Sequence, residues 1–308
     1  MLKYAPLGMT VGVLAGSIGD EASAPSSPEV LLILLALFTF SFVIGLISPM
    51  AGIGGGVLFT PILLAFTSIN VDLVRGTGIA LATANSFTAS GTFVRAGVVN
   101  LRLGLLAALI AATCAIVGVF LRPPGGPLLN SLLGLIMLSV VLTYNIMKGG
   151  VEYPRAVNSD FLAERLQLNA SYYDRALNEH VSYAVERTVF GFLLFGGMGF
   201  ISGAFGVGAG WGAVPIINLL MRVPLRPSIT TSQLIVSISG LTAMWIYVLQ
   251  GAVVPLMAIP SLMGGMLGVL IGSRIAVRAG ARYIRYTVIA IMSFTSLRLL
   301  LSGLGIWR

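Results

Sequence analysis

Gly52-Ile53-Gly54-Gly55-Gly56, with Pro61 five residues on, interrupts an apolar run that extends from Val30 to Phe66. Gly206-Val207-Gly208-Ala209-Gly210, with Pro215 at the same distance, interrupts a second run from Val189 to Met221, and the two copies are separated by 154 residues (215 − 61 = 154). Glycine weakens a helix and bares its backbone, so a cluster in the middle of an apolar helix is unfavourable unless the break has a use. The same break at matching places in two halves points to paired interruptions of membrane helices at a binding site.

Composition sets the environment. Of 308 residues 57% are hydrophobic and only 9% charged, and the mean hydropathy is +0.99. Soluble domains carry about 25% charged residues, so the chain is expected to be an integral membrane protein built from α-helices. The net charge of +8 would suggest nucleic acid in a soluble protein, but here the arginines flank apolar runs and read as anchors at the membrane edge. Cys114 is the only cysteine, which rules out an internal disulfide and a multi-cysteine metal site.

A membrane helix needs about 20 apolar residues, and eight such regions can be drawn: Val30 to Phe66, Leu73 to Val94, Leu103 to Leu121, Leu128 to Met147, Val189 to Met221, Ser228 to Leu249, Val253 to Ile275 and Ile284 to Leu304. The chain divides into residues 1–29, a first membrane repeat 30–147, an extramembrane segment 148–187 and a second repeat 188–308. Residues 1–29 read equally as a secretory signal (Lys3, an apolar stretch, Ala22-Ser23-Ala24) or as a weakly apolar tail. The central segment is too polar for lipid yet holds Phe161, Leu162, Tyr172, Tyr173 and Tyr183, and is expected to be ordered. An ungapped shift of 154 also aligns Gly45 with Gly199, Ser48 with Ser202, Thr77 with Thr231, Gly97 with Gly251 and Gly118 with Gly272, which supports a duplication.

Four spans per half would make the halves parallel; if each glycine segment turns back as a re-entrant loop, the parity changes and the halves are inverted. In the parallel arrangement one face collects Arg75, Arg122, Arg222, Arg226, Arg274, Arg278, Arg282 and Arg285. The other has Arg95, Arg102 and the basic residues of the central segment. The Arg274 to Arg285 cluster and the signal-like start favour termini on the outside of a cell (inner) membrane.

Ionisable groups are nearly absent from the spans. Neither lysine, no carboxylate and not the sole histidine, His180, lies deep within one. That disfavours carboxylate relays for protons or sodium, retinal attachment, zinc hydrolysis and Ser-His-Asp chemistry, so neither an enzyme, a metal site nor a cofactor is expected. Backbone and hydroxyl chemistry remains. Successive glycine amides can converge on one concavity, and the helix that follows adds the positive end of its dipole, which suits a small anion without a buried cation. The candidate ligands are Gly52, Gly54, Gly55 and Gly56 with Asn85 and Ser86, and Gly206, Gly208 and Gly210 with Thr231, Ser232 and Gln233. Pro61 and Pro215 reinforce the breaks because proline lacks the N–H of an unbroken helix. The competing reading is that glycines serve only close helix packing and the hydroxyls bond their own helices.

With these residues in view, Ile47-Ser48-Pro49-Met50-Ala51-Gly52-Ile53-Gly54-Gly55-Gly56 and Pro61 resemble the first signature of the sulfite exporter TauE/SafE family. Ser202-Gly203-Ala204-Phe205-Gly206-Val207-Gly208-Ala209-Gly210 and Pro215 resemble its second, and Thr230-Thr231-Ser232 and Gly268 to Arg274 also fit. The resemblance, over residues 30 to 305, implies a duplicated polytopic transporter of sulfur-containing or organic anions such as sulfite or sulfonates. Ala209 departs from a triple glycine and makes the two motifs unequal, so more is expected of Gly54 to Gly56. A carrier of another small solute and a non-transporting membrane scaffold are the rival readings.

Overall fold

A computed structural model describes residues 27–67, 69–146, 159–174, 178–278 and 282–303. The signal-like reading of the N-terminus falls on residues 1–26, outside the described residues. The first helices are α1 (Ser27–Ala51), α2 (Gly56–Phe66), α3 (Val71–Arg95), α4 (Leu101–Phe120) and α5 (Pro127–Ile146). A short α6 (Phe161–Arg165) and a hairpin of β1 (Ala170–Asp174) and β2 (Glu179–Tyr183) follow. Then come α7 (Thr188–Phe205), α8 (Gly210–Pro215) continued by a π-helical turn (Ile216–Leu220), α9 (Leu225–Leu249), α10 (Pro255–Arg278) and α11 (Arg282–Gly303).

Five helices among the described residues are long and apolar enough to cross a membrane, and α2, α5 and the stretch from Gly210 to Leu220 are shorter apolar helices. The chain is therefore a multi-pass membrane protein. Leu31, Leu35, Leu109, Phe120, Leu135, Leu193, Trp245 and Met263 are exposed, as side chains that meet lipid should be. Helix α3 is long as well but carries Thr77, Thr83, Asn85, Ser86 and Ser90, all buried. It can be polar because neighbouring helices shield it from lipid.

Element boundaries recur at the offset of the glycine motifs: Ala51 and Phe205 end α1 and α7, Gly56 and Gly210 begin α2 and α8, and Val71–Arg95 matches Leu225–Leu249. The ends of α3 and α9 close in the same way. Gly97 (φ +67°) and Gly251 (φ +70°) take left-handed conformations. Beyond them Val98 N–H bonds to Phe93 O, as Ala252 N–H does to Tyr247 O, the closure typical of a glycine C-cap.

Glycines set which helices meet. A Cβ on Gly264, Gly268 or Gly272 would overlap the carbonyl oxygens of Phe38, Phe42 and Leu46 respectively, so α1 and α10 lie backbone to backbone and parallel. Gly199 and Gly203 meet the carbonyls of Ala111 and Ala115, which packs α7 against α4 in the same way. Each half thus packs its first helix against the other half. Such small-residue contacts are how membrane helices approach closely where lipid removes the hydrophobic drive.

The directions decide the parity. Gly76 lies against Ala252 and Gly240 against Thr83, so α3 and α9, which correspond under the offset, run antiparallel. Gly134 against Leu300 and Gly303 against Ser131 make α5 and α11 antiparallel too. Helix α3 runs parallel to α10, with Ser273 Oγ donating to Thr92 Oγ1 at 3.3 Å and Gly265 beside Leu81 and Asn85. Since α1 also parallels α10, the chain must return between Gly52 and Asn70, and α2 is that returning arm. The parallel grouping of arginines is corrected accordingly: Arg222, Arg226 and Arg274 lie on the face of the central segment, opposite Arg75 and Arg122. The physical reason is that an 11-residue helix, about 16 Å long, turns back within the membrane instead of finishing a crossing.

The central segment is tied to the helices. Asp160 caps α6 by accepting from Ala163 N–H at 2.6 Å and also accepts from Thr188 N–H at 2.7 Å. Asn100 caps α4 and donates through Nδ2 to Leu168 O at 2.7 Å and to Tyr183 Oη at 3.2 Å. Burial pushes the Tyr183 phenol up to about 12, against a smaller opposing effect of the Asn100 bond, so it stays neutral at physiological pH. His180 lies on β2, edge-on to Tyr173.

Gly268→Ala should lower thermal stability by on the order of 1–3 kcal/mol, because its new methyl meets the Phe42 carbonyl. Gly197→Ala, with nothing within 4 Å of the added Cβ, should leave stability unchanged or slightly raised. Unfolding of both variants in one detergent measures the contrast.

Candidate functional site at the crossed glycine breaks

The two breaks lie against each other. A Cβ on Gly210 would fall 2.5 Å from the Ile53 carbonyl carbon, and one on Gly56 would fall 3.0 Å from Val207 O. Gly54 and Gly208 both approach Ala82 of α3 and Val236 of α9, two residues related by the same offset. Thr60 Oγ1 adds a cross-link, donating to Gly206 O at 2.9 Å. Polar backbone within a membrane survives only where protein buries it or a wet cavity receives it, and here each break shields the other.

Backbone angles explain the glycines. Gly52 and Gly206 (φ +73° and +66°) and Gly54 and Gly208 (both +73°) are matched left-handed pairs. Gly55 stands at φ +95°, whereas its counterpart Ala209 has an ordinary φ of −82°. The departure at Ala209 is thus a difference in chain path: the first break makes one more left-handed turn than the second. Pro61 lies inside α2 and Pro215 ends the α-helical part of α8. After Pro215 the chain widens to a π turn, whereas α2 stays α-helical past Pro61.

In the first break Ile53 N–H bonds to Ser48 O, and the N–H groups of Leu58 and Phe59 bond to Gly55 O. Among the described residues, no backbone bond outside the regular helices engages the N–H of Gly54, Gly55, Gly56 or Val57. These are the free donors at the start of α2, where the helix dipole is positive.

Around them stands an unpaired polar cluster. A Cβ on Gly55 would come within 2.8 Å of Asn85 Nδ2 and 3.7 Å of Ser48 Cβ, and one on Gly54 within 2.6 Å of Ser86 Oγ. Asn85 is fully buried, and neither its Nδ2 nor its Oδ1 has a hydrogen-bond partner. Ser86 Oγ and Ser48 Oγ are also buried and unpaired. Gln233 donates through Nε2 to Ser48 O at 3.3 Å, while its Oε1 is left without a partner. Each buried polar group left unsatisfied costs about 1–3 kcal/mol, so five such atoms around one backbone turn single this place out as the candidate site.

Other candidates have internal partners. Ser232 Oγ donates to Gly52 O at 2.9 Å and to Ile229 O at 2.7 Å, fixing the first break to α9. Thr231 Oγ1 accepts from Asn100 N–H at 3.0 Å, linking α9 to the start of α4. The counterparts of Asn85 and Ser86 in the second half are Ser239, bonded to its own helix at Ile235 O, and Gly240. At the second break the free side-chain donor is instead the indole N–H of Trp211. The polar equipment is therefore concentrated at the first break.

Two groups escaped the sequence reading. Ser48 was visible as part of the first motif and as a partner of Ser202, but nothing marked its hydroxyl as unpaired. Arg75 reads as an edge residue yet is only 1% exposed, and its Cα lies 2.6 Å from where a Cβ on Gly206 would be. The spacing of Asp72 and Arg75, three residues apart on α3, was the available signal for an ion pair.

A family model described as Sulfite exporter TauE/SafE matches residues 36–299, a span that includes both breaks and the whole polar cluster. The chain belongs to the TauE/SafE family. It is also 22% identical over 258 residues, 80% of this chain and 88% of the relative, to a protein of Bacillus subtilis (strain 168) named "Probable membrane transporter protein YunE". No solved structure matches the chain. Membership makes this protein a membrane transporter.

Asn85→Leu removes the two unpaired amide atoms and keeps the branching and the number of heavy atoms. It should raise the thermal stability of the ligand-free protein by about 1–2 kcal/mol. Unfolding in detergent without added anion measures it, and a loss of stability would show that the carboxamide is already satisfied.

Proposed function

We propose that the protein carries small sulfur-containing or organic oxyanions of the sulfite and sulfonate class. The anion would sit at the first break, its oxygens accepting from the N–H groups of Gly54, Gly55 and Gly56, with Asn85, Ser86, Ser48 and Gln233 orienting it. The observation that carries this reading is the Asn85 carboxamide, buried and unpaired at both atoms beside Gly55. Hydroxyl and amide donors favour an oxyanion while costing far less in a bilayer than a buried charge. A scaffold whose glycines only packed helices would have no use for these unpaired groups.

The architecture supports a carrier. In this reading the chain is two inverted four-helix repeats, eight spanning helices in all, each with a re-entrant glycine arm. Such halves exchange roles when one rocks against the other around a fixed site. Among the described residues, Arg95, Arg102, Arg165, Arg187, Arg222, Arg226 and Arg274 belong to the face of the central segment, and Arg75, Arg122 and Arg298 to the opposite one. By the excess of basic residues, the central segment faces the cytoplasm and residue 27 the outside.

Proteoliposomes should show counterflow of labelled sulfite, and Asn85→Ala or Gly55→Ala should reduce it by about tenfold or more, the effect of one lost charge-assisted hydrogen bond. Gly208→Ala, also at positive φ, tests the second break. Equal flux in folded Asn85→Ala would sink the site, and cation without anion flux would replace the substrate class. With no carboxylate at the site, any coupling to protons would pass through titration of sulfite itself. Flux should then change with pH across neutrality, and flux indifferent to pH would exclude that coupling.

A further inference from the structure

On the face opposite the hairpin a cavity of about 530 Å³ opens between the start of α3 and the turn joining α4 to α5. Asp72, Arg75 and Arg122 supply its charge, and Asn70, Pro123 and Gly125 lie among its walls. Two guanidinium groups face one carboxylate. Arg75 is 1% exposed, donates through Nη2 to Pro123 O at 2.9 Å, and has a buried Nε with no partner. Arg122 sits over the Tyr247 ring, its guanidinium carbon 5.5 Å from the centroid, and donates through Nη1 to Gln250 Oε1.

The carboxylate is held loosely. Asp72 Oδ1 is 3.4 Å from Arg75 Nη1 and 3.2 Å from Arg122 Nε, and Asp72 Oδ2 is 3.4 Å from Arg122 Nη2. Well-formed pairs of this kind lie at about 2.7–2.9 Å. The Asp72 side chain is 44% exposed while Arg75 is 1% exposed, so the carboxylate can swing to water, and the buried guanidinium it leaves then calls for another anion. Beyond Arg75 lies the second glycine break, where Gly206 packs on the Arg75 backbone.

We propose that this cavity is an entry site for small oxyanions, and that Asp72 is a tethered occupant which the incoming anion displaces from Arg122 and Arg75. A sulfur oxyanion, carboxylate or phosphate offers the same paired oxygens to the two guanidinium groups. The site would gather anions on the face opposite the hairpin and present them to the crossed breaks; the choice of probe rests on the anion reading above.

The test is sulfate and sulfite binding to the full-length protein in nanodiscs by calorimetry, alongside sulfite counterflow in proteoliposomes. Asp72→Asn removes the competitor and should tighten anion binding by about fivefold; Arg122→Gln should weaken it by a similar factor, each the size of one solvent-screened ion pair. Added inert salt should weaken binding to the parent protein. Opposite signs at two partners of one ion pair are not expected of a merely structural contact, whose loss would act in one direction. Unchanged or weaker binding in Asp72→Asn overturns the entry site. If sulfite flux persists while both variants bind like the parent, the entry site alone falls. Binding that follows the predicted signs without any flux would instead overturn the transport reading and leave the entry site standing. No binding and no flux in any variant overturns both.

Discussion

Every backbone N–H and C=O inside a bilayer must find a partner within the protein or in a water-filled site, and this constraint governs the molecule around its two glycine breaks. A break frees the donors at the start of the next helix. The fold meets that cost by laying the breaks against each other, Ile53 on Gly210 and Val207 on Gly56. Thr60 and Ser232 then tie the carbonyls of Gly206 and Gly52 to neighbouring helices. Carbonyls are thus served by hydroxyls, while the N–H groups of Gly54 to Gly56 have no carbonyl partner among the described residues.

Crossing the breaks requires the halves to interlock. Helix α1 packs on α10 and α7 on α4, each pair with backbones in contact through glycine, so neither half is a free-standing unit. Only small residues allow that approach. The duplication therefore yields one intertwined body with a common centre at Ala82 and Val236, where the arms of both halves converge.

Much of this was legible from residues. The glycine clusters and their offset announced the breaks, because glycine at left-handed angles leaves few alternatives. Asn85 and Gln233 stood out because a buried amide is costly if unused. The direction of the halves was not legible, since an apolar run has no sign and parity hung on whether α2, 11 residues long, turned back. Which hydroxyls were free was hidden too: Thr83, Ser237 and Ser239 bond carbonyls of their own helices, whereas Ser48 and Ser86 do not. Arg75 was concealed by its position near a helix start, where the ordinary expectation is a side chain reaching for water. Its burial comes from tertiary contacts with Gly206 and Pro123 that no local pattern encodes.

The two breaks have also diverged in chemistry. Gly54 and Gly55 meet Ser86, Asn85 and Ser48, all uncharged, whereas Gly206 packs on the backbone of Arg75, whose side chain pairs with Asp72. Inverted halves of identical composition would give a path that looks the same from either side. Here Arg75 and Arg122 stand on the face opposite the hairpin, uncharged donors surround the first break, and Asn100 bridges Thr231 and Tyr183 on the hairpin face. Positive charge at the mouth of a cleft raises the local concentration of anions, and under the proposed reading the uncharged donors at the first break would hold one without a buried cation. On that reading, inequality between the halves would let a symmetric fold hold an anion at one break without trapping it at the other.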